Sequence, residues 1–266
     1  MEYWSYLLRE AIRIAKEAGK IQLSYFRKKS LSVLTKQNEY DVVTTADKTS
    51  EDLIVSKIKK LFPGHSIVSE ELSNVIEGNE DYRWIIDPLD GTTNYSQGLP
   101  VFCISIAIEY RGTSVVGVVY APYLNELYYA VKGSGAFQGD NRIRCSSKNR
   151  LEESVVATGI PYDKLVNPDN NIKELSKVAP MVRGLRRLGS AAMDLCYVAA
   201  GYFEAYWELN LNLWDVAAGV LIAREAGAKI FPIRENRNHS VLAACPGICD
   251  AMLEILLTPD IQSNSK

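Results

Sequence analysis

Between residues 101 and 131, three runs rich in β-branched and aromatic residues follow one another with only short turn segments between them. Arg111-Gly112-Thr113 separates 101–110 from 114–121, and a turn at 122–125 separates the latter from 126–131. Connections that short cannot carry a crossover, so the runs are hairpin-linked and their sheet is antiparallel. Gly139-Asp140-Asn141 marks a further tight turn. Two shorter apolar runs precede this block, at 66–68 and 84–86, and each ends in acidic residues.

The flanks read differently. Residues 2–28 set Leu7, Ala11, Ile12, Ala15, Ala18 and Tyr25 on one face at helical spacing, and 46–61 does the same with Leu53, Ile54, Ile58 and Leu61 before Phe62-Pro63-Gly64 stops it. Residues 41–45 form a short strand or extended link. After residue 150, strands (154–157, 203–207, 228–231, 241–244) alternate with helices (170–180, 190–200, 214–226, 246–257), with a loop at 236–239. The expected architecture is layered α and β, an antiparallel half followed by a mixed α/β half. The polar tail 258–266 is expected to fray.

A chain of 266 residues with 47% hydrophobic and 23% charged residues can bury a substantial core. Its net charge of −2 argues against a nucleic-acid binder that relies on a general positive field. No apolar run approaches the roughly 18–20 residues needed to span a bilayer, and the charged N-terminus reads as a helix, not a signal peptide. Five scattered cysteines suit a reducing, cytoplasmic compartment. Cys245 and Cys249 form a C-x3-C pair, but no second Cys/His pair stands at zinc-site spacing. His65 and His239 are the only histidines, both read as structural, so carboxylates and hydroxyls carry any chemistry.

Three acidic clusters fall at strand ends or helix starts: Glu70-Glu71 after 66–68, the string Asp87-Pro88-Leu89-Asp90-Gly91-Thr92-Thr93-Asn94-Tyr95 after 84–86, and Trp214-Asp215 opening a helix. Carboxylates at strand ends can converge on one point, an unfavourable arrangement unless a cation lies among them. Mg²⁺ takes oxygen ligands and keeps several waters, so a few carboxylates suffice. Taken singly, each cluster also has a plain reading: a helix cap for Asp215 or Ser190, a solvated loop for Glu70-Glu71, a common turn for D-P-x-D. The whole string at 87–95 exceeds what a cap or turn requires.

That string, the Trp214-Asp215-Val216-Ala217-Ala218-Gly219 string and the Glu70-Glu71 pair resemble, in order and separation, the three signatures of the inositol monophosphatase family. That family belongs to the magnesium-dependent, lithium-sensitive phosphatases. The likeness runs from the first helix to about Leu257, with Ser69 standing where many members carry glycine. It implies an α+β fold of the sugar-phosphatase type, a layered α-β-α-β-α sandwich forming one compound domain over 1–266. Its antiparallel half would span about 1–145 and its mixed half about 146–258.

The resemblance further implies that Glu70, Asp87 and the Leu89 carbonyl bind a first Mg²⁺, and that Asp87, Asp90 and Asp215 bind a second. A weaker third would lean on Glu70, and Mn²⁺ is an alternative metal. Glu70 and Thr92 would orient or deprotonate the attacking water, with Asp47 supporting the threonine; as a bare residue, Asp47 reads equally as a helix N-terminal charge. Phosphate would rest on Gly91 and Thr92. Leu89, Asp90, Gly189, Ser190, Ala191, Glu208 and Asp215 would complete the substrate contacts, Glu208 accepting from vicinal hydroxyls. The implied reaction is hydrolysis of inositol monophosphate or a similar polyol phosphate by a homodimer, with no membrane or nucleic-acid partner. A broader sugar phosphatase acting also on fructose bisphosphate is the alternative within enzymes, with histidinol phosphate and phosphoadenosine phosphate as further substrates. A regulatory module that retains the fold is the alternative outside them. Arg183, Arg186 and Arg187 read as a solvated or dimer-edge face, or as a contact for a second phosphate, an RNA or a partner subunit, and Gly133-x-Gly135 lacks the following helix of a nucleotide loop.

Overall fold

The computed structural model describes residues 2–28, 31–36, 42–72 and 74–258. Its elements run α1 (Glu2–Tyr25), β1 (Val33–Thr35), β2 (Val42–Thr44), α2 (Thr45–Leu61), β3 (Ser66–Ser69), β4 (Tyr82–Asp90), α3 (Thr92–Ser96), β5 (Cys103–Tyr110), β6 (Thr113–Ala121), β7 (Glu126–Val131), β8 (Ala136–Gln138) and β9 (Asn141–Ile143). The second half follows as β10 (Val155–Thr158), α4 (Ile172–Val178), β11 (Gly184–Arg186), α5 (Ala191–Ala199), β12 (Ala205–Leu211), α6 (Leu213–Glu225), β13 (Lys229–Pro232), β14 (His239–Ala244) and α7 (Cys249–Leu257).

The hairpin-linked runs form a seven-stranded sheet ordered β3-β4-β5-β6-β7-β8-β9, antiparallel throughout except where β3 pairs parallel with β4. A second sheet of five strands, ordered β11-β10-β12-β14-β13, mixes parallel and antiparallel pairs. The apolar face of α1 (Leu7, Ala11, Ile14, Ala18) and that of α2 (Ile54, Ile58) close one side of the first sheet over Trp84, Ile86 and Ile106. Helices α5 and α6 fill the space between the sheets, packing on Ala107 and Val119 of the first and Tyr206 and Ala243 of the second. Val178 and Met252, from the α4 and α7 segments, cover the outer side of the second sheet. The result is the expected α-β-α-β-α layering.

A helix between two sheets must be apolar all round, and α6 buries Val216, Ala217, Ala218, Gly219, Leu221, Ile222 and Ala223. Its backbone also comes unusually close to β6, where a Cβ built on Gly117 would stand 2.9 Å from Ala218 O. No helix among the described residues is long and apolar enough to cross a membrane.

Several elements depart from the sequence reading. The first helix ends at Tyr25, three residues early, because Arg27 takes a left-handed φ of 58°. The strand expected at 84–86 runs on through Asp90, carrying Pro88 at a register shift between Asp87 and Asp90. Proline, which has no N–H to donate, is tolerated at such a bulge. His239, expected in a loop, opens β14. The three-residue strands β1, β8, β9 and β11 were not foreseen, being too short to show an alternating pattern. Asp41 and tail residues 259–266 lie outside the described residues.

Gly117→Ala is expected to destabilise the protein by about 1–3 kcal/mol, since the new methyl cannot be seated without moving α6; urea unfolding read by circular dichroism measures it.

Candidate active site

Strand β4 delivers the central groups. The register shift around Pro88 lets Asp87, Leu89 and Asp90 border one cleft, although successive residues of a regular strand would point to opposite faces. Gly91 then turns the chain at φ 93°, and a Cβ there would meet Val101 O at 2.8 Å, so only glycine fits. The rest of the string fastens the cleft to its surroundings. Thr92 Oγ1 donates to Asp47 Oδ1 at 2.9 Å, with Leu89 O at 3.0 Å as an alternative acceptor. Asn94 Nδ2 donates to Val101 O and Leu188 O at 2.8 and 2.7 Å, tying the string to the loop before α5. Tyr95 Oη donates to Gln22 O at 2.6 Å, and Gln22 Nε2 holds the Pro88 carbonyl at 2.7 Å.

The remaining acids come from other layers. Glu70 lies in the turn that follows β3. Asp215 sits in the first turn of α6, where its Oδ2 accepts from Asn212 N–H at 2.6 Å. Asp90 Oδ2 accepts from Ser190 Oγ and from Ala192 N–H, both at 2.7 Å, which brings the start of α5 against β4. Glu208 projects from β12 with Tyr206 Oη donating to its Oε2 at 2.6 Å. Glu70, Asp87, Leu89, Asp90, Gly91, Thr92, Gly189, Ser190, Ala191, Glu208 and Asp215 all line one cleft of about 240 Å³. Every residue expected at the site is therefore in the cleft wall, except Asp47, which lies buried behind Thr92.

Among the described residues, no three Asp, Glu, His or Cys side chains are gathered at coordination distances around one point. The carboxylates face the same space but are bonded to protein donors, and Lys36 Nζ reaches Glu70 Oε1 at 2.6 Å and also pairs with Glu71. The donor set nonetheless suits a hard divalent cation: four carboxylates and a carbonyl, all oxygen, beside one oxygen that already engages a positive charge. Burial first, then repulsion from Glu70, Asp90 and Asp215, raises the Asp87 carboxyl well above its ordinary range. Asp215 is raised in the same direction by burial, Glu70 and Asp90, and Asp90 by burial against the donors from Ser190 and Ala192. Burial pushes Asp47 up to about 7 against its bonds from Thr44 and Thr92. Glu208 also rises to about 7 through burial, opposed by the Tyr206 hydroxyl and Arg187.

Sequence reasoning missed Lys36, Gln22 and Tyr206, which carry no motif. Of the arginine cluster only Arg187 lines the cleft, and among the described residues its guanidinium has no hydrogen-bond or ion-pair partner. Glu208 is no surface residue: its carboxylate lies so close over Gly159 that a Cβ there would collide with it. The two amides of Gly133 and Gly135 are capped by Glu225 at 2.7 and 2.8 Å. His65 is buried and accepts from Trp84 Nε1 at 2.9 Å, a packing role.

The model of the inositol monophosphatase family matches residues 4–265. A Mesorhizobium japonicum protein named inositol-1-monophosphatase is 38% identical over 259 residues, covering 96% of this chain and 97% of that protein. A Pasteurella multocida protein named Nus factor SuhB is 41% identical over 254 residues, covering 93% and 94%. The crystal structure of extragenic suppressor protein SuhB from Bartonella henselae matches with a TM-score of 0.88 at 38% identity, covering 94% of this chain and 98% of that one.

A carboxyl whose folded pKa is raised stabilises the fold at low pH and loses that contribution as pH climbs from about 4 through the folded value. In chelator, wild-type stability is expected to fall between about pH 5 and 7.5, and Asp87→Asn to be more stable than wild type at the upper end. A gain of about 1 kcal/mol corresponds to about 2–4 °C in Tm for a chain of this size. Thermal melts across pH measure it; a Tm difference between Asp87→Asn and wild type that does not grow as pH rises would mean that the acids do not repel one another.

Proposed function

We propose that this chain, which belongs to the inositol monophosphatase family and is a phosphatase, hydrolyses a small polyol or sugar monophosphate, inositol monophosphate first among them, in a reaction that requires Mg²⁺. The observation that carries the reading is the meeting of Glu70, Asp87, Asp90 and Asp215, from three separate parts of the chain, in one cleft with Thr92 and Glu208.

Glu70, Asp87 and Leu89 O would hold one cation, and Asp87, Asp90 and Asp215 another. Divalent cations so held supply positive charge to the phosphate and make water more acidic. The chain's own groups do the rest. With its proton directed to Asp47, the Thr92 hydroxyl is left with lone pairs that accept from the attacking water, and Glu70 orients or deprotonates the same water. The turn at Gly91 and Thr92 seats the phosphate. Ser190 and the Ala192 amide occupy Asp90 Oδ2 and so leave Oδ1 for a ligand. Tyr206 likewise occupies Glu208 Oε2, which leaves Oε1 to accept from a substrate hydroxyl.

A second substrate reading, a sugar bisphosphate, is favoured by Arg187, a cation in the cleft wall whose charge already acts on Glu208 and Asp194. Relatives named Nus factor SuhB support a regulatory role, alone or alongside catalysis, while the four acids retained here support activity. Exposed Tyr162 at the cleft, with exposed Leu165 and Val166 after it in the chain, support a homodimer, and five free cysteines support a reducing, cytoplasmic setting.

A panel of inositol monophosphate, fructose bisphosphate, histidinol phosphate and phosphoadenosine phosphate, with and without Mg²⁺, tests the reading by phosphate release. Inositol monophosphate is expected to turn over fastest and only with Mg²⁺; equal or better rates on the bisphosphate would demote it. Asp90→Asn is expected to lower kcat/KM by at least about 100-fold, a loss of about 2.7 kcal/mol of transition-state stabilisation. Glu208→Ala is expected to change the order of substrates more than the rate on a small aryl phosphate; an unchanged order would remove Glu208 from the polyol site.

A further inference from the structure

Of the four acids read as metal ligands, Glu70 alone stands outside regular structure. Asp87 and Asp90 are on β4 and Asp215 is in α6, whereas β3 ends at Ser69 and Glu70 starts the turn beyond it. A side chain on a turn holds its place only if the turn is anchored. Lys36 pairs with the Glu70 carboxylate itself, and the backbone of the turn has two anchors, of which one is Glu70 N–H, donating to Ile86 O at 3.2 Å. The other comes from α2. A single oxygen of Glu51, Oε1, accepts from Ser69 Oγ and from Glu71 N–H at 3.1 Å, and so grips the chain on both sides of Glu70. Glu51 and Ser69 are 6% and 3% exposed, so water does not compete for these bonds.

The residue type matters. Burial, then the nearby Glu71 and Asp52, disfavour a charge on Glu51, and a neutral acceptor would satisfy the same two donors without that repulsion. An ionised acceptor makes hydrogen bonds about twice as strong as a neutral one, which suits a clamp that must resist repulsion between Glu70 and the other acids. Position matters as well. Asp47 and Glu51 are four residues apart on α2 and both are buried, so they project from one face with about 6 Å of rise between them. Asp47 holds the Thr92 hydroxyl, and Glu51 holds the turn of Glu70.

We propose that Glu51 is a positioning residue for Glu70, and that one turn of α2 sets the separation between Glu70 and Thr92. This rests on the reading of Glu70 as a metal ligand given above. In this chain Ser69 supplies half of the clamp, through a hydroxyl that the glycine of many family members lacks.

Calorimetric titration of the purified full chain with Mn²⁺ tests the proposal without substrate or turnover. Glu51→Ala is expected to weaken Mn²⁺ binding by at least about tenfold, the usual effect of removing a group that orients a metal ligand. Glu51→Gln keeps an acceptor oxygen and is expected to recover most of the affinity. Ser69→Ala removes one donor and is expected to fall between wild type and Glu51→Ala. It also carries the test if Glu51→Ala does not fold. Wild-type affinity in both Glu51→Ala and Ser69→Ala, with or without a lowered Tm, would overturn the positioning role and leave the metal site standing. A wild-type chain that binds no Mn²⁺ would overturn the metal reading and this proposal with it.

Discussion

Four carboxylates that share a cleft repel one another and lose hydration as they are buried, and much of the molecule serves to hold them there. The acids are secured from several layers. The bulge in β4 brings Asp87 and Asp90 to the same side, and the wedge of α6 between the sheets carries Asp215. The first turn of α5 fastens one oxygen of Asp90 through Ser190 and the Ala192 amide. On the far side, α1 pins the Pro88 carbonyl through Gln22, and α2 supplies Asp47 and Glu51. The tight approach of α6 to β6 at Gly117 belongs to the same arrangement, because any outward shift of α6 carries Asp215 away from the other three.

On the proposed reading, the two sheets would divide the work between chemistry and recognition. The seven-stranded sheet and its turns supply Glu70, Asp87, Leu89, Asp90 and Thr92, the groups suited to a cation, a phosphate and a water. The five-stranded side supplies Glu208 with its Tyr206 partner, and Arg187 just past β11, groups suited to hydroxyls or to a second anion. Asn94 joins the two by bonding the Leu188 carbonyl, so the recognition loop is registered against the strand that carries the acids. Exchanging one side while keeping the other would change substrate and leave the hydrolytic machinery intact, a route by which one fold can serve several phosphate esters.

How much of this was legible in the sequence depended on pattern length. Runs of six to nine residues with turn residues between them announced β5, β6 and β7, and heptad-length apolar spacing announced α1 and α2. Three-residue strands carry no period and were missed. Asp87–Asp90 read as a turn after the run at 84–86, yet β4 continues through Pro88 because the bulge needs no N–H there. The acids stood out because so many polar and glycine residues crowd one short string, and Asp87, Asp90, Gly91, Thr92, Asn94 and Tyr95 each proved to have a separate bond or close approach to make. Gln22, Lys36 and Glu51 left no trace of that kind. Each looks like an ordinary polar residue of a helix or link, and only tertiary packing turns it toward the cleft. Arg187 was grouped with Arg183 and Arg186 by proximity in sequence, whereas of the three only Arg187 borders the cleft.

The central claim is spatial, so the most direct measurement is anomalous diffraction from crystals soaked in Mn²⁺. Strong peaks are expected within about 2.0–2.4 Å of carboxylate oxygens of Glu70, Asp87, Asp90 and Asp215, with Asp87 touching more than one if two cations bind. Ordered crystals that show no Mn²⁺ peak in the cleft, or a peak held by other residues with these four still bonded to their protein donors, would contradict the account.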